Sequence, residues 1–248
     1  MSTGLNIAAA TTAALAGPRL RAAIFAHSVA YGRPARRACP ACRHRLPTTG
    51  LAARLAVTGR CPKCLHRIGA STGLVEVVAA ITVLLATART SHWALALAGL
   101  WIGVHGIVLA GIDITVHRLP DRIIASAYLG TGTMLVLAAW ATGSWTRLAS
   151  AAAGSAGLAA FYLTLHLAAP SHLGPGDVKL ALLIGLAAGW HGFSAVIATA
   201  MAIAVLGMLT AGYLLAAGRP QRGDAFAAGP VMLTGALLVI LLQPAVSA

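Results

Sequence analysis

The chain has 248 residues, of which 58% are hydrophobic and 9% are charged, and its formal net charge is +13. A water-soluble domain of this length carries about a quarter charged residues to cover its surface, so the composition argues against a soluble protein. The positive charge alone would fit nucleic-acid binding, but no aromatic platform accompanies the basic residues, and we predict no nucleic-acid partner. The sequence therefore predicts an all-α polytopic membrane protein.

The N-terminal membrane segment, residues 1–32, begins with a short apolar run over residues 5–16. A proline and two arginines follow it, at Pro18, Arg19 and Arg21. An arginine in the middle of a bilayer costs about 2.5–3.5 kcal/mol on insertion scales. A single clean span through this segment is therefore not expected.

Residues 33–70 form a basic segment that contains two cysteine pairs of the C-x-x-C type. The pairs are Cys39 with Cys42 and Cys61 with Cys64, and 18 residues separate them. This spacing is typical of a structural zinc site. Four thiolates leave no open coordination position on the metal, so a zinc ion here would be structural and not catalytic.

Two alternatives compete with the tetrathiolate site. Four cysteines could form disulfides, but the segment is predicted to be cytosolic, where thiols stay reduced. His44 or His66, which follow the two pairs, could replace one cysteine as a ligand. The spacing favours the four cysteines over both alternatives.

Six later stretches are apolar over about the 20 residues that a bilayer crossing requires. They are residues 72–88, 92–112, 122–142, 148–169, 194–217 and 227–246. A shorter apolar run, 178–190, follows a Gly-Pro-Gly turn and is expected to be a tilted or half-buried helix. Small residues at 151–160 are expected to let helices approach closely. With one helix before Arg33, the sequence predicts about eight transmembrane helices and a small cytoplasmic zinc-knuckle insertion.

The basic residues indicate the orientation in the membrane. If residues 33–67 are cytoplasmic and the spans alternate, three further loops face the cytoplasm. These loops are 113–121, 169–177 and 218–226. Fourteen of the 18 Lys and Arg residues then lie inside, and only Arg89 and Arg147 lie in outside loops. This is the asymmetry of the positive-inside rule, so we predict a multi-pass protein of the cytoplasmic (inner or plasma) membrane with both ends outside.

Two of the five acidic residues are predicted to be catalytic. Ionisable groups in or beside membrane spans are costly and mark function by default. Asp113 closes a long apolar helix and Asp177 opens another at the same predicted membrane face, so the two could meet. Two carboxyl groups that share a site do not both ionise easily, and such a pair can activate water and polarise a carbonyl, as in the aspartic-protease dyad.

The other three acidic residues have simpler interpretations. Asp121 follows Pro120 and precedes an apolar run, which predicts a helix N-cap. Asp224 lies in a polar loop and is expected to be solvated. Glu76 lies about one turn inside a span and is expected to pair with a basic residue or to bind a ligand. Asp177 could also be a cap, although its Gly-Pro-Gly setting favours the functional interpretation.

Three motifs, in this order, resemble the type IV prepilin peptidase family. They are the cysteine pairs followed by a helix with Glu76, the loop from Asp113 to a Leu-Pro-Asp sequence, and the Gly-Pro-Gly-Asp sequence that ends at Asp177. The last is similar to the G-x-G-D signature that the family shares with presenilin-type proteases. The resemblance covers residues 39–180. It implies an eight-helix fold, a peptidase domain over residues 71–248 with the aspartates near the cytoplasmic face, and cleavage of a basic leader after a glycine in prepilins or pseudopilins.

Members of the family with a cysteine segment often also methylate the new N-terminus with S-adenosylmethionine. No glycine-rich nucleotide loop of the ordinary methyltransferase type is visible, so the resemblance leaves methylation open, with Glu76 as the contributing acid. The nine basic residues between Arg33 and Arg67 do not favour a cofactor that carries a sulfonium cation. They are expected to attract anionic lipid headgroups and to orient the protein on the membrane.

Two functions of other classes compete with proteolysis. Paired intramembrane carboxylates also serve proton-coupled transporters, which would place them nearer the middle of the membrane in broken helices. A membrane protein with a zinc knuckle could also be a non-enzymatic assembly factor for pili or secretion. The sequence does not identify which prepilin would be the substrate, nor the oligomeric state.

Overall fold

The structure, a computed structural model, describes residues 3–30, 32–46, 59–71, 73–88, 90, 92–170, 173–218 and 227–243. Within these ranges the chain forms eight α-helices, and the β-structure is limited to isolated bridges. In chain order the helices are α1 (Thr3–His27), α2 (Leu74–Ala88), α3 (Trp93–Val116), α4 (Asp121–Thr142), α5 (Trp145–Ala168), α6 (Pro175–Gly189), α7 (Phe193–Ala216) and α8 (Ala228–Leu242). The predicted all-α membrane architecture is confirmed.

Four helices of the described chain, α3, α4, α5 and α7, are long and apolar enough to cross a membrane. They coincide with four of the predicted spans, because a long run of apolar residues without charge can satisfy its backbone groups in lipid only as a helix. The apolar helices α2 and α8 have 15 residues each. At 1.5 Å per residue each is about 22 Å long, which is shorter than the spans predicted at 72–88 and 227–246.

Helix α1 runs without a break through the arginines that were expected to interrupt it. The Arg21 side chain is 3% exposed, and its Nη2 lies 3.1 Å from Oε1 of Glu76 on α2. One turn earlier on α1, Gly17 makes room for this pair, since a Cβ there would collide with the Glu76 side chain. The carboxylate partner offsets the cost of burying the guanidinium. The predicted pairing of Glu76 with a basic residue is confirmed.

Helices α5 and α6 pack with their backbones in contact. A Cβ added to Gly154 on α5 would lie 2.8 Å from the carbonyl oxygen of Gly185 on α6, and one added to Gly189 would lie 2.6 Å from the Ser150 oxygen. Next to Gly154, the Ser155 hydroxyl donates to the Leu182 carbonyl at 2.9 Å. The close approach predicted for residues 151–160 is confirmed, and it fixes the position of α6.

Several contacts bring loops from distant parts of the chain to one end of the helix bundle. At the end of α3, the Thr115 hydroxyl donates to the Ser28 hydroxyl at 2.8 Å, just beyond α1. The following Arg118 donates to the Val29 carbonyl at 2.9 Å. Near the starts of α4 and α6, Asp121 and Lys179 form an ion pair. The described parts of the 113–121 and 169–177 loops therefore lie at the same end as the segment that follows α1, as the alternation of spans predicts. Residues 219–226 lie outside the described part of the chain.

Candidate active site and metal site

Asp113 lies in the last turn of α3 and is held at both its backbone and its side chain. Its carbonyl oxygen accepts a hydrogen bond from the His117 N–H at 2.8 Å, and His117 ends the helix in the left-handed conformation, with φ 50°. The carboxyl group is buried, and the residue is 5% exposed. Its Oδ2 accepts a hydrogen bond at 2.9 Å from the N–H of Gly229, in the first turn of α8.

Asp177 lies in the first turn of α6 and caps the helix to which it belongs. Its Oδ2 accepts a hydrogen bond from the Gly174 N–H at 3.0 Å, while its own N–H donates to the Gly174 carbonyl at 3.1 Å. Pro175, between them, occupies the first helical position, where the missing N–H costs nothing. The residue is 9% exposed. The capping role that the sequence left open is therefore real, and it leaves the carboxyl group buried beside other acidic and polar groups.

The two aspartates approach each other. Their carboxyl groups are near enough to interact electrostatically. The approach depends on a close contact between the turn before Asp177 and the loop after Asp113, because a Cβ on Gly176 would lie 3.1 Å from the Leu119 Cβ. The structure thus brings together two buried carboxyl groups that are 64 positions apart in the sequence.

Tyr162 and Gly229 are among the residues near the aspartates that were not predicted from the sequence. Tyr162 on α5 is buried and lies within electrostatic range of Asp177. Gly229 on α8 contacts the Asp113 carboxyl group across 116 positions of sequence. No local pattern connects either residue to the aspartates, because each lies on a different helix from its aspartate.

Asp121 does not act as a helix N-cap, and that prediction is wrong. Pro120 occupies the cap position with extended backbone angles, and Asp121 is the first residue inside α4. Its Oδ1 instead lies 2.7 Å from Nζ of Lys179 on α6. Both side chains are about half exposed. Asp224, predicted to be solvated, lies outside the described residues.

The four cysteines form one cluster whose sulfur atoms all lie within 4.8 Å of one another. The Cys39 and Cys64 sulfurs are 3.6 Å apart, as are those of Cys42 and Cys61. A tetrahedral zinc ion with sulfur ligands at about 2.3 Å needs sulfur atoms about 3.8 Å apart, so the cluster has the size to hold a metal ion. A disulfide bond would require about 2 Å, and the four thiols are free.

The two cysteine knuckles repeat each other in backbone geometry as well as in sequence. In each, the residue after the second cysteine has a positive φ, 56° at Arg43 and 57° at Leu65, and donates its N–H to the carbonyl of the first cysteine. The two histidines that were considered as ligands, His44 and His66, use their backbone carbonyls to accept from the N–H of that first cysteine. Their side chains are exposed and are not part of the cluster. The four cysteines are therefore the residues that could bind the metal.

Glu76 has two partners in the structure. Besides the ion pair with Arg21, its Oε2 accepts a hydrogen bond from the Gly73 N–H at 2.8 Å. Glu76 therefore occupies the same position in α2 as Asp177 does in α6. Each acid lies three residues after a glycine and accepts a hydrogen bond from the N–H of that glycine.

Comparison with known proteins finds a family match for the region that contains both aspartates. Residues 100–212 match the sequence model of the type IV leader peptidase family, and this range includes Asp113 and Asp177 but not the cysteine cluster or Gly229. No curated protein and no solved structure gives a significant match to the chain. Over residues 100–212, the chain is therefore similar to the type IV leader peptidase family.

Proposed function

We propose that Asp113 and Asp177 are the catalytic pair of an aspartic endopeptidase that removes the leader from type IV prepilins or pseudopilins. The observation that carries the proposal is the approach of two buried carboxyl groups, from different helices, inside the region that matches the family. Of the four acidic residues that the structure describes, only these two are buried. The other two, Glu76 and Asp121, are each paired with a basic side chain.

The chemistry of such a pair requires one ionised and one protonated carboxyl group. The ionised carboxylate takes a proton from a water molecule as the water oxygen bonds to the scissile carbonyl carbon. The protonated carboxyl group gives its proton to the carbonyl oxygen. When the tetrahedral intermediate collapses, the C–N bond breaks, the leaving amine takes the proton that came from water, and the second carboxyl group recovers its own. No metal or cofactor enters these steps.

The turn before Asp177 supports an extended substrate at this site. Gly174 and Pro175 are exposed, and Gly176 lies against the loop that follows Asp113. Without a side chain on Gly174, a substrate backbone can approach the carboxyl groups closely. An extended segment is also the form in which a peptide bond is accessible to attack.

The position of the acids along their helices favours proteolysis over proton-coupled transport. Asp113 lies one turn from the end of α3, and Asp177 lies in the first turn of α6. Transporter sites near the bilayer midplane are formed by interrupted helices. The positive-inside asymmetry supports a location in the cytoplasmic membrane with the site near the cytoplasmic face. The cysteine cluster supports a structural zinc ion.

Substitution of the aspartates tests the proposal. We expect Asp113→Asn and Asp177→Asn each to abolish leader removal, since neither carboxyl group acts alone, while the protein stays in the membrane. The assay is co-expression with candidate prepilins and pseudopilins, scored by the mass of the product. Asp121→Asn is the matched control, and it should retain substantial activity because its ion pair is exposed and contributes at most about 1 kcal/mol. Full activity in either Asn variant of the pair would disprove the assignment. The alternative functions, proton-coupled transport or non-enzymatic assembly of pili or secretion machinery, would then remain.

The mass of the processed prepilin also tests the role of the cysteine segment. We propose that its basic residues orient the protein on anionic lipid, and that its leader contacts are unfavourable because prepilin leaders are also basic. The engagement of Glu76 with Arg21 and Gly73 supports a structural role for this acid. The N-terminus of the mature substrate should therefore carry no methyl group that depends on this protein. A gain of one methyl group that requires the protein would show a bifunctional enzyme that uses S-adenosylmethionine.

A further inference from the structure

The first turn of α8 contacts the Asp113 carboxyl group at Gly229, so closely that a side chain at position 229 would collide with it. The Gly229 N–H donates to Oδ2 at 2.9 Å, and both groups are buried. The first amides of a helix have no partner within the helix, and they attract negative charge. The Asp113 carboxylate satisfies one of these amides in α8, although 116 positions separate the two residues.

The space at residue 229 is filled by the carboxyl group itself. A Cβ on Gly229 would lie 2.9 Å from Oδ2, 3.3 Å from Cγ and 3.4 Å from Cβ of Asp113, and all three atoms belong to that one side chain. The φ angle of Gly229 is not in the left-handed region, so the glycine is not required by its backbone conformation. What it provides is room for the carboxylate to reach the amide.

We infer that Gly229 is a positioning residue for Asp113: its amide fixes the orientation of the carboxyl group, and its missing side chain is what permits this contact. The inference rests on the proposed function, and it adds α8, which lies outside the region of the family match, to the machinery of the site. Asp177 needs no such helper, because the amide that it accepts from belongs to the start of its own helix.

Another glycine of α8 offers a matched control. A Cβ on Gly235 would meet Ile203 of α7 at 2.8 Å from Cγ1, 3.0 Å from the backbone nitrogen and 3.2 Å from Cα. Relief there requires movement of a helix backbone. Relief at Gly229 requires only rotation of the end of the Asp113 side chain. Gly229→Ala should therefore spare the fold and damage the site, whereas Gly235→Ala should damage the packing of α7 against α8.

The first test compares the kinetics and stability of the two variants with those of the full-length wild type. For Gly229→Ala we expect kcat to fall by about 10–100-fold, because misplacement of a reacting group by about 1 Å can reduce the rate by up to about 100-fold. KM for the prepilin and the thermal midpoint should stay near the wild-type values. For Gly235→Ala we expect a lower thermal midpoint with kcat retained by the folded fraction. Wild-type kcat in Gly229→Ala, or a loss that only follows the loss of folded protein, would overturn the inference.

The second test does not depend on any proteolytic activity. The rate at which a carbodiimide and an amine modify Asp113 is measured in detergent by peptide mass spectrometry. This rate should rise in Gly229→Ala, because the carboxyl group is released from its amide, and should stay at the wild-type value in Gly235→Ala. An unchanged rate in Gly229→Ala would refute the positioning role. If instead the rate rises while the wild type cleaves no prepilin, the proposed function fails and the contact between α8 and Asp113 stands.

Discussion

The two aspartates illustrate how backbone amides hold a carboxyl group inside an apolar bundle. Asp113 accepts its hydrogen bond from another helix, and Asp177 accepts from the glycine that begins its own. Each of these amides lies at a helix N-terminus, where four N–H groups have no partner within the helix. Without such a donor, the transfer of a carboxyl group from water into the apolar interior would cost much more free energy. The glycines therefore belong to the site as much as the acids do.

The glycines before Asp177 should differ in their tolerance of a methyl group. At Gly176 a Cβ would lie 3.1 Å from the Leu119 Cβ, whereas at Gly174 the nearest atom is the Asp177 Oδ2 at an ordinary 3.5 Å. Gly174 has a φ of −77°, which alanine adopts freely. We expect Gly176→Ala to destabilise the protein by about 1–3 kcal/mol, the usual cost of overpacking, and to reduce leader removal. Gly174→Ala should stay close to the wild type in stability.

Thermal denaturation in detergent measures both variants side by side, together with the rate of leader removal. Equal melting temperatures for the two variants would contradict the packing argument for Leu119. Greater destabilisation by the change at Gly174 would do so as well.

At the scale of helices, the sequence predicts the spans well and the helix ends less well. A long apolar run can be recognised without knowledge of its neighbours, and α3, α4, α5 and α7 coincide with predicted spans. The start of α4 was misplaced because Pro120 takes the cap position, which left the Asp121 side chain to pair with Lys179 from another helix. The continuity of α1 was missed for a similar reason. The partner that makes Arg21 tolerable, Glu76, is 55 positions away.

The candidate site was predictable only in part. The sequence indicates that Asp113 and Asp177 lie at helix ends on one side, because both adjoin apolar runs. It does not indicate Gly229 or Tyr162, because neither belongs to a motif that contains an aspartate. Both residues come near the aspartates only when α5 and α8 pack against the other helices.

The pair between α1 and α2 should respond asymmetrically to substitution. Removal of one partner of a buried ion pair costs up to about 3–5 kcal/mol, and less here because the Glu76 side chain is about one-fifth exposed. Glu76→Gln leaves the Arg21 guanidinium buried without its carboxylate, and Arg21→Met leaves the carboxylate without its base. Each single variant should melt below the wild type. The double variant should melt above both, since glutamine still caps the Gly73 amide and methionine fills the space of the arginine stem.

The melting temperatures of the three variants, compared in one detergent, check this coupling. A double variant whose loss of stability equals the sum of the two single losses would show that the pair contributes no coupling. In that case the continuity of α1 would need another explanation.

At the scale of the whole molecule, the cysteine cluster and the aspartates are connected through the end of α1. The Arg36 N–H, just before the first knuckle, donates to the Ala26 carbonyl at 2.8 Å, and its guanidinium lies 5.7 Å from the centre of the Phe25 ring. Two residues beyond Ala26, the Ser28 hydroxyl accepts the hydrogen bond from Thr115, which lies two positions after Asp113. Among the described residues, the cysteine cluster is therefore connected to the aspartates through the position of α1.

This arrangement predicts a metal that is needed more for structure than for catalysis. Freshly purified, reduced protein should contain one zinc ion per chain by elemental analysis. Cys39→Ser combined with Cys61→Ser should lose it, since these two buried sulfurs belong to opposite knuckles.

The exposed histidines beside the knuckles provide the control for this experiment. His44→Ala and His66→Ala should keep the zinc, because four thiolates complete the tetrahedral coordination. Leader removal by the double cysteine variant should fall only in part, since the Gly229 and Gly174 amides that hold the aspartates do not depend on the knuckles. Protein without zinc, or complete loss of cleavage in a double cysteine variant that remains folded in the membrane, would contradict a structural metal at a distance from the dyad.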